Sequence, residues 1–314
     1  CVFNDSVTIK CSGATYLRMG QNSGDIFNGP ATFISTGVYS IQIAYGDTSF
    51  FNDNVFINCT GNGGLSFCSG SNAAAIIAPG KKITAGSSGL TAGVIPIKGI
   101  VQSDTTSQSI VSTGTSTLNI SSCNFTGNST FSAPSILVKY STFNGNSSFT
   151  KTGNATNQWE GGNVFYGTTT ISNNTTGSGI LRMALQAGDV YAGDVTFNTS
   201  TGYIQVAFAD TSIFGGDVTT NNSKVGFSSG SGLLQFNGGE DQALTTAAII
   251  SAQKFILTKP GGLLTTNRQI TIDSVLTLTG GILSTDSLIT LKAPAIVNGG
   301  SNVSQIDGPV KKIG

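Results

Sequence analysis

Val190-Tyr191-Ala192-Gly193-Asp194-Val195-Thr196-Phe197-Asn198-Thr199-Ser200-Thr201-Gly202-Tyr203-Ile204-Gln205-Val206-Ala207 reads as one turn of a parallel β-solenoid. Tyr191, Val195 and Phe197 alternate around a glycine. A second alternating pair, Ile204 and Val206, follows a Thr-Gly turn, so the stretch predicts two short strands per turn. The same template recurs: an aromatic residue, Gly or Asp two positions on, and small or apolar residues four and six positions on. It fits at Phe3, Phe27, Phe51, Phe125, Phe143, Phe165 and Phe214 as well as at Tyr191. Neighbouring aromatics are 24, 24, 74, 18, 22, 26 and 23 residues apart. A period near 23 residues marks a repeat architecture in which each unit buries its apolar face only against its neighbours.

The second strand recurs as Leu17-Arg18-Met19, Ile41-Gln42-Ile43, Leu181-Arg182-Met183 and Ile204-Gln205-Val206. Each places two apolar side chains on one face and a long polar one on the other, so Arg18, Gln42, Arg182 and Gln205 are expected to face solvent at one phase of the coil. The fold expected is all-β, a parallel β-helix of about 13 to 14 coils forming one rod roughly 60 Å long. A two-sheet sandwich also alternates, but it does not return the same residue class at the same phase. Gly or Asp two positions after the aromatic is expected to supply a bend with unusual backbone angles.

Composition agrees. Charged residues are 10% of the chain, against about 25% in ordinary globular proteins. Lys and Arg together number 15, as do Asp and Glu, so the concentrated cationic surface that nucleic acid requires is missing. No apolar run approaches the 18 or so residues of a membrane span; the longest, Ala73 to Ala78, is far shorter. The first residue is Cys1, with no leader pattern ahead of it, and the chain is expected to be a segment of something longer.

Four stretches differ in filling: aromatic coils over 1–71, aliphatic coils of variant type over 72–122, aromatic coils over 123–232 and aliphatic coils over 233–314. Within the last, Ala247 to Gln253 could form a helical turn or two. Asn154 to Gly162 interrupts the aromatic pattern and carries the single Trp, Trp159, beside Glu160. It is expected to leave the coil as a loop, which makes both residues candidates for ligand contact.

The chain has no His, which removes the Ser-His-Asp and Cys-His constellations and the commonest zinc sites. Asp189, Asp194, Asp210 and Asp217 fall in consecutive coils, with Asp194 and Asp217 at one phase. That pair is open to three readings: water-exposed turn residues, weak Ca²⁺ ligands, or a glycosidase pair. No cofactor is implied. Five Cys do not make a disulfide scaffold, and Cys11 and Cys59, two coils apart, are too distant for a bridge, whereas Cys59 with Cys68, or a bridge from Cys1, stays open. Asn-X-Ser/Thr sequons occur, as at Asn58, Asn128 and Asn146.

Gly162-Asn163-Val164-Phe165-Tyr166-Gly167-Thr168-Thr169-Thr170, Ser141-Thr142-Phe143-Asn144-Gly145-Asn146 and Asp307-Gly308-Pro309-Val310-Lys311-Lys312 resemble the repetitive regions of very large secreted surface proteins of Bacteroidota. Many of these look like type IX secretion cargo, including adhesins and cell-surface filaments. The resemblance implies an extracellular, non-catalytic structural or adhesive role, with adjoining domains of the same chain, further copies in an appendage, or a glycan or cell-surface ligand as partners. In that family an Asp followed by Ser or Thr and then an apolar residue or Thr is an O-glycosylation site, which implies Ser6, Thr105, Ser274 and Ser287 here. Two other classes compete: a polysaccharide-cleaving β-helix, and a carbohydrate- or ice-binding surface built on flat Thr ladders.

Overall fold

The computed structural model describes residues 1–70, 73–227 and 230–314. The boundary expected at 71/72 lies outside the described residues. The chain divides into two compact units, Cys1–Gly153 and Asn154–Gly314, and both are parallel β-solenoids. Within each unit the strands pair in parallel, from Val2–Phe3 on Ile26–Phe27 to Ile289–Leu291 on Val310–Lys312, which excludes an up-and-down sandwich.

In the first unit each regular coil carries three strands, one more than expected. The opening coils show this as Val2–Phe3, Val7–Cys11 and Leu17–Arg18, then Ile26–Phe27, Ala31–Ser35 and Ile41–Ile43, then Ser49–Phe51, Val55–Cys59 and Leu65–Phe67. The corner after the aromatic splits what alternation alone reads as one strand. Register stacks like upon like: Phe3 on Phe27 on Phe51, and Leu17 on Ile41 on Leu65. The Phe3, Phe27 and Phe51 rings are 4.9 and 4.8 Å apart and nearly parallel, with Phe33 set edge-on to Phe27 at 5.7 Å. Burying such a side chain is worth about 1.5–3 kcal/mol, and Phe33, Ile41 and Ile43 of the same turn are buried as completely as Phe27.

Beyond Phe51 the column continues as Ile77 and then Gln102, a buried polar residue among the aliphatic coils. Its amide nitrogen donates to the Thr106 carbonyl and to Asp104 Oδ1, which offsets part of the cost of burial. Phe125 and Phe143 then resume the stack at 5.6 Å.

In the second unit the column runs Phe165, Tyr191, Phe214 and Phe236, with ring spacings of 5.0, 5.3 and 5.2 Å. Its last coils are drawn out into long strands, Ile250–Thr266 and Ile270–Ser284, that carry on around the corners. Ile250 and Ala252 pair with Ile270 and Ile272, so the stretch expected to turn helically is strand from Ile250 onward. Few residues in it break extended structure, and the coil below supplies a ready edge.

Two kinds of corner hold the turns together. At the glycine two positions after the aromatic, φ is not positive; the requirement is close approach. A Cβ on Gly29 would lie 2.5 Å from the Asp5 carbonyl carbon, and one on Gly145 would lie 2.6 Å from that of Gly127. Left-handed backbone recurs at the corner after the third strand, where several of the residues that adopt it are not glycine. Ala44, Cys68, Ser122 and Tyr140 in the first unit, and Ala184 and Ala207 in the second, have φ between 48° and 53°. Each such residue costs about 1–2 kcal/mol.

Candidate functional site

The third strand puts its middle residue outside, and these residues meet across coils. Arg18 pairs in register with Gln42, and its Nε donates to Gln42 Oε1 at 2.8 Å. The guanidinium carbon lies 4.4 Å from the centre of the Tyr45 ring. In the second unit Arg182 pairs with Gln205, its Nε donates to Gln205 Oε1 at 2.9 Å, and its guanidinium carbon lies 4.7 Å from the centre of Phe208. All four polar residues are exposed or half-buried, in the phase expected.

Around each pair are exposed rings and small residues. Tyr16 is 54% exposed and meets Tyr39 edge-on at 5.1 Å. Tyr203 is 44% exposed with Lys224 Nζ 5.5 Å from its centre. The coil after Gln205 presents Gly226, which leaves a groove of about 200 Å³ lined by Tyr203, Gln205, Lys224, Gly226 and Ile249.

Trp159 and Glu160 do not form a loop. Asn157–Gln158 is a third strand paired with Leu181 and Arg182, and the Trp159 amide donates to the Arg182 carbonyl at 2.8 Å. Trp159 therefore takes the inward phase of Met183 and is fully buried, so it offers nothing to a ligand. Glu160 follows it at the corner, where its carbonyl accepts from Gln186 and Ala187. The residue of this coil that does reach the surface is Gln158, in register with Arg182; polar Asn157 in place of Leu or Ile hid the strand.

Asp194 and Asp217 are stacked as expected, and their carboxylates serve the next coil. Asp194 Oδ1 accepts from the Asp217 amide at 2.9 Å, Asp217 Oδ1 from Ala243 at 2.8 Å, and Asp241 Oδ1 from Leu263 at 2.7 Å. This is a capping ladder. Among the described residues no group of three His, Cys, Asp or Glu side chains is placed to hold a metal ion. Ser6 and Thr105 are exposed at the corner between first and second strands, Ser274 is half-buried within Ile270–Ser284, and Ser287 is half-buried before the strand Ile289–Leu291. All five cysteines are free thiols.

Asp189 is one of several charged side chains buried among the coils, with Asp25, Lys151 and Lys259. Asp189 is fully buried; its Oδ1 accepts from the Asn163 amide and side chain at 3.1 and 2.9 Å, and Oδ2 makes no hydrogen bond. Its register partner Ser212 and its neighbour Tyr191 hold buried hydroxyls that are also unbonded. Burial pushes the Asp189 carboxyl up to about 7, against the opposing effect of the Asn163 hydrogen bonds.

No family model, curated protein or solved structure matches this chain, so the solenoid assignment rests on its own register.

Proposed function

We propose that the chain is a non-catalytic structural and adhesive segment of a larger extracellular surface protein, making contact through the outward side chains of its third strands. The observation that carries this reading is where the polar groups go: Arg18 with Gln42, Arg182 with Gln205, and the aspartates of the capping ladder all bind coil to coil. Such an arrangement stiffens a repetitive wall and gathers no acid and base around a cleft. The likeness of Gly162 to Thr170 and Asp307 to Lys312 to Bacteroidota surface repeats supports the location, and type IX export belongs to the same proposal.

Full-length chain on an optical biosensor, probed with intact cells and with a panel of acidic and neutral polysaccharides, tests this. Retention without release of new reducing or unsaturated sugar ends is expected; steady product release would establish the enzyme reading instead. A specific register favours a second reading, an ice-binding face: Thr170, Thr196, Thr219 and Thr245 stack in one outward column. Thermal hysteresis of the purified chain, absent under the adhesive reading, decides between them.

A further inference from the structure

The two Arg–Gln pairs belong to a duplicated two-coil block. Leu17-Arg18-Met19, Gly24-Asp25, Ile41-Gln42-Ile43-Ala44-Tyr45 and Asp47-Thr48-Ser49 correspond in order to Leu181-Arg182-Met183, Gly188-Asp189, Ile204-Gln205-Val206-Ala207-Phe208 and Asp210-Thr211-Ser212. Both copies keep the arginine, the glutamine one coil on, and an aromatic ring three residues after the glutamine. Other coils of similar shape lack the set; Ser66, for example, follows Gln42 in register with no arginine beside it.

The arrangement holds each guanidinium in two ways. The ring beneath fixes its plane, and the glutamine oxygen takes the Nε proton. Four of the five N–H donors of each arginine then remain on the Nη edge. No carboxylate of the described residues forms an ion pair with Arg18 or Arg182. The acidic residues nearest in sequence to the rings, Asp47 and Asp210, instead accept from the amides of Thr48 and Thr211 at 2.7 and 2.6 Å. A planar donor edge, oriented in advance and left without an internal anion, matches a carboxylate in two-point contact.

We propose that these two clamps are carboxylate-binding sites for an acidic polysaccharide, an inference that rests on the third strands being the contact surface. A sugar is favoured over an acidic peptide by what borders the clamps. Tyr16 and Tyr203 present broad, exposed rings on which the C–H face of a pyranose packs, and the groove beside Gln205 adds a second cation, Lys224. Each unit carries one clamp, so a polymer with repeated carboxylates finds two sites on every chain.

The test uses the full chain on biosensor surfaces of polygalacturonate, its methyl ester, a neutral glucan and polyglutamate. Binding to polygalacturonate, little to the ester, and a loss of at least about tenfold in Arg18→Gln with Arg182→Gln are expected. Arg→Lys at both sites keeps the charge without the planar fork and should recover only part of the binding. Gln42→Leu with Gln205→Leu, which frees the guanidinium to rotate, provides a second perturbation should the arginine variants fold poorly; a loss of about threefold is expected. Lys311→Gln with Lys312→Gln is the charge-matched control and should leave binding unchanged. Equal loss in that control, unchanged binding in both the arginine and the glutamine variants, or equal binding to polyglutamate would overturn the proposal. Arginine-independent binding to the neutral glucan would overturn it while leaving the adhesive reading intact, and no binding to cells or to any polymer would remove both.

Discussion

Replacing Asp189 by Asn is expected to make the protein more stable at neutral and alkaline pH, by an amount that grows with pH. The carboxyl is fully buried, has one oxygen unbonded, and is raised from 3.8 to about 7 by that burial. Since the folded-state value lies above the unfolded one, folding favours the protonated form. The group is therefore without cost below about pH 4, where both states hold the proton, and the cost accumulates as pH rises toward 7. A rise of about three pH units at about 1.4 kcal/mol each gives about 4 kcal/mol above pH 7. Asn keeps the oxygen that accepts from Asn163 and carries no titratable charge. Denaturant unfolding of both proteins at pH 4, 6 and 8 measures this. Near-equal midpoints at pH 4 and a widening advantage for the variant by pH 8 are expected. A difference that does not change with pH, or a variant less stable at pH 8, would refute the reasoning.

Gly145→Ala is expected to destabilise the first unit by about 1–3 kcal/mol, because its Cβ would sit 2.6 Å from the Gly127 carbonyl carbon; Gly13→Ala, with nothing within 4 Å, should be close to neutral in the same melts. Tyr140→Gly, at φ 49° and half exposed, should stabilise by about 0.5–1 kcal/mol, the relief of left-handed strain outweighing the entropy of glycine. Burial pushes the Cys68 and Cys123 thiols up to about 12 and raises that of Cys59, so a thiol reagent at pH 8 should find one fast group, the exposed Cys1, in the native chain and five after unfolding.

The parallel stack and the outward polar phase were legible because they rest on repetition. Phe3, Phe27 and Phe51, or Arg18 and Arg182, announce themselves by residue class at a constant spacing. The left-handed corner was hidden because Ala44, Cys68, Ser122 and Tyr140 share no residue type, so no residue class marks it along the sequence. Trp159 was misplaced for a similar reason, since Asn157 supplies no apolar mark for the strand that carries it. The carboxylates of Asp194 and Asp217 were ambiguous for another reason: a stacked acidic pair looks the same whether it binds an ion or caps the next turn, and only the amide positions of Asp217 and Ala243 distinguish the two.

The amide-to-carbonyl bonds that join one turn to the next, such as Asn28 to Phe3 and Asn52 to Phe27, lie along the direction of stacking. Under tension applied to the two ends of a unit, the load falls on the outermost turn alone, and the chain pays out like thread from a spool. Each turn of 24 residues would release about 75–80 Å of slack before the next is engaged. A tether built in this way yields to a sudden pull in small instalments and can rewind turn upon turn once the force is gone.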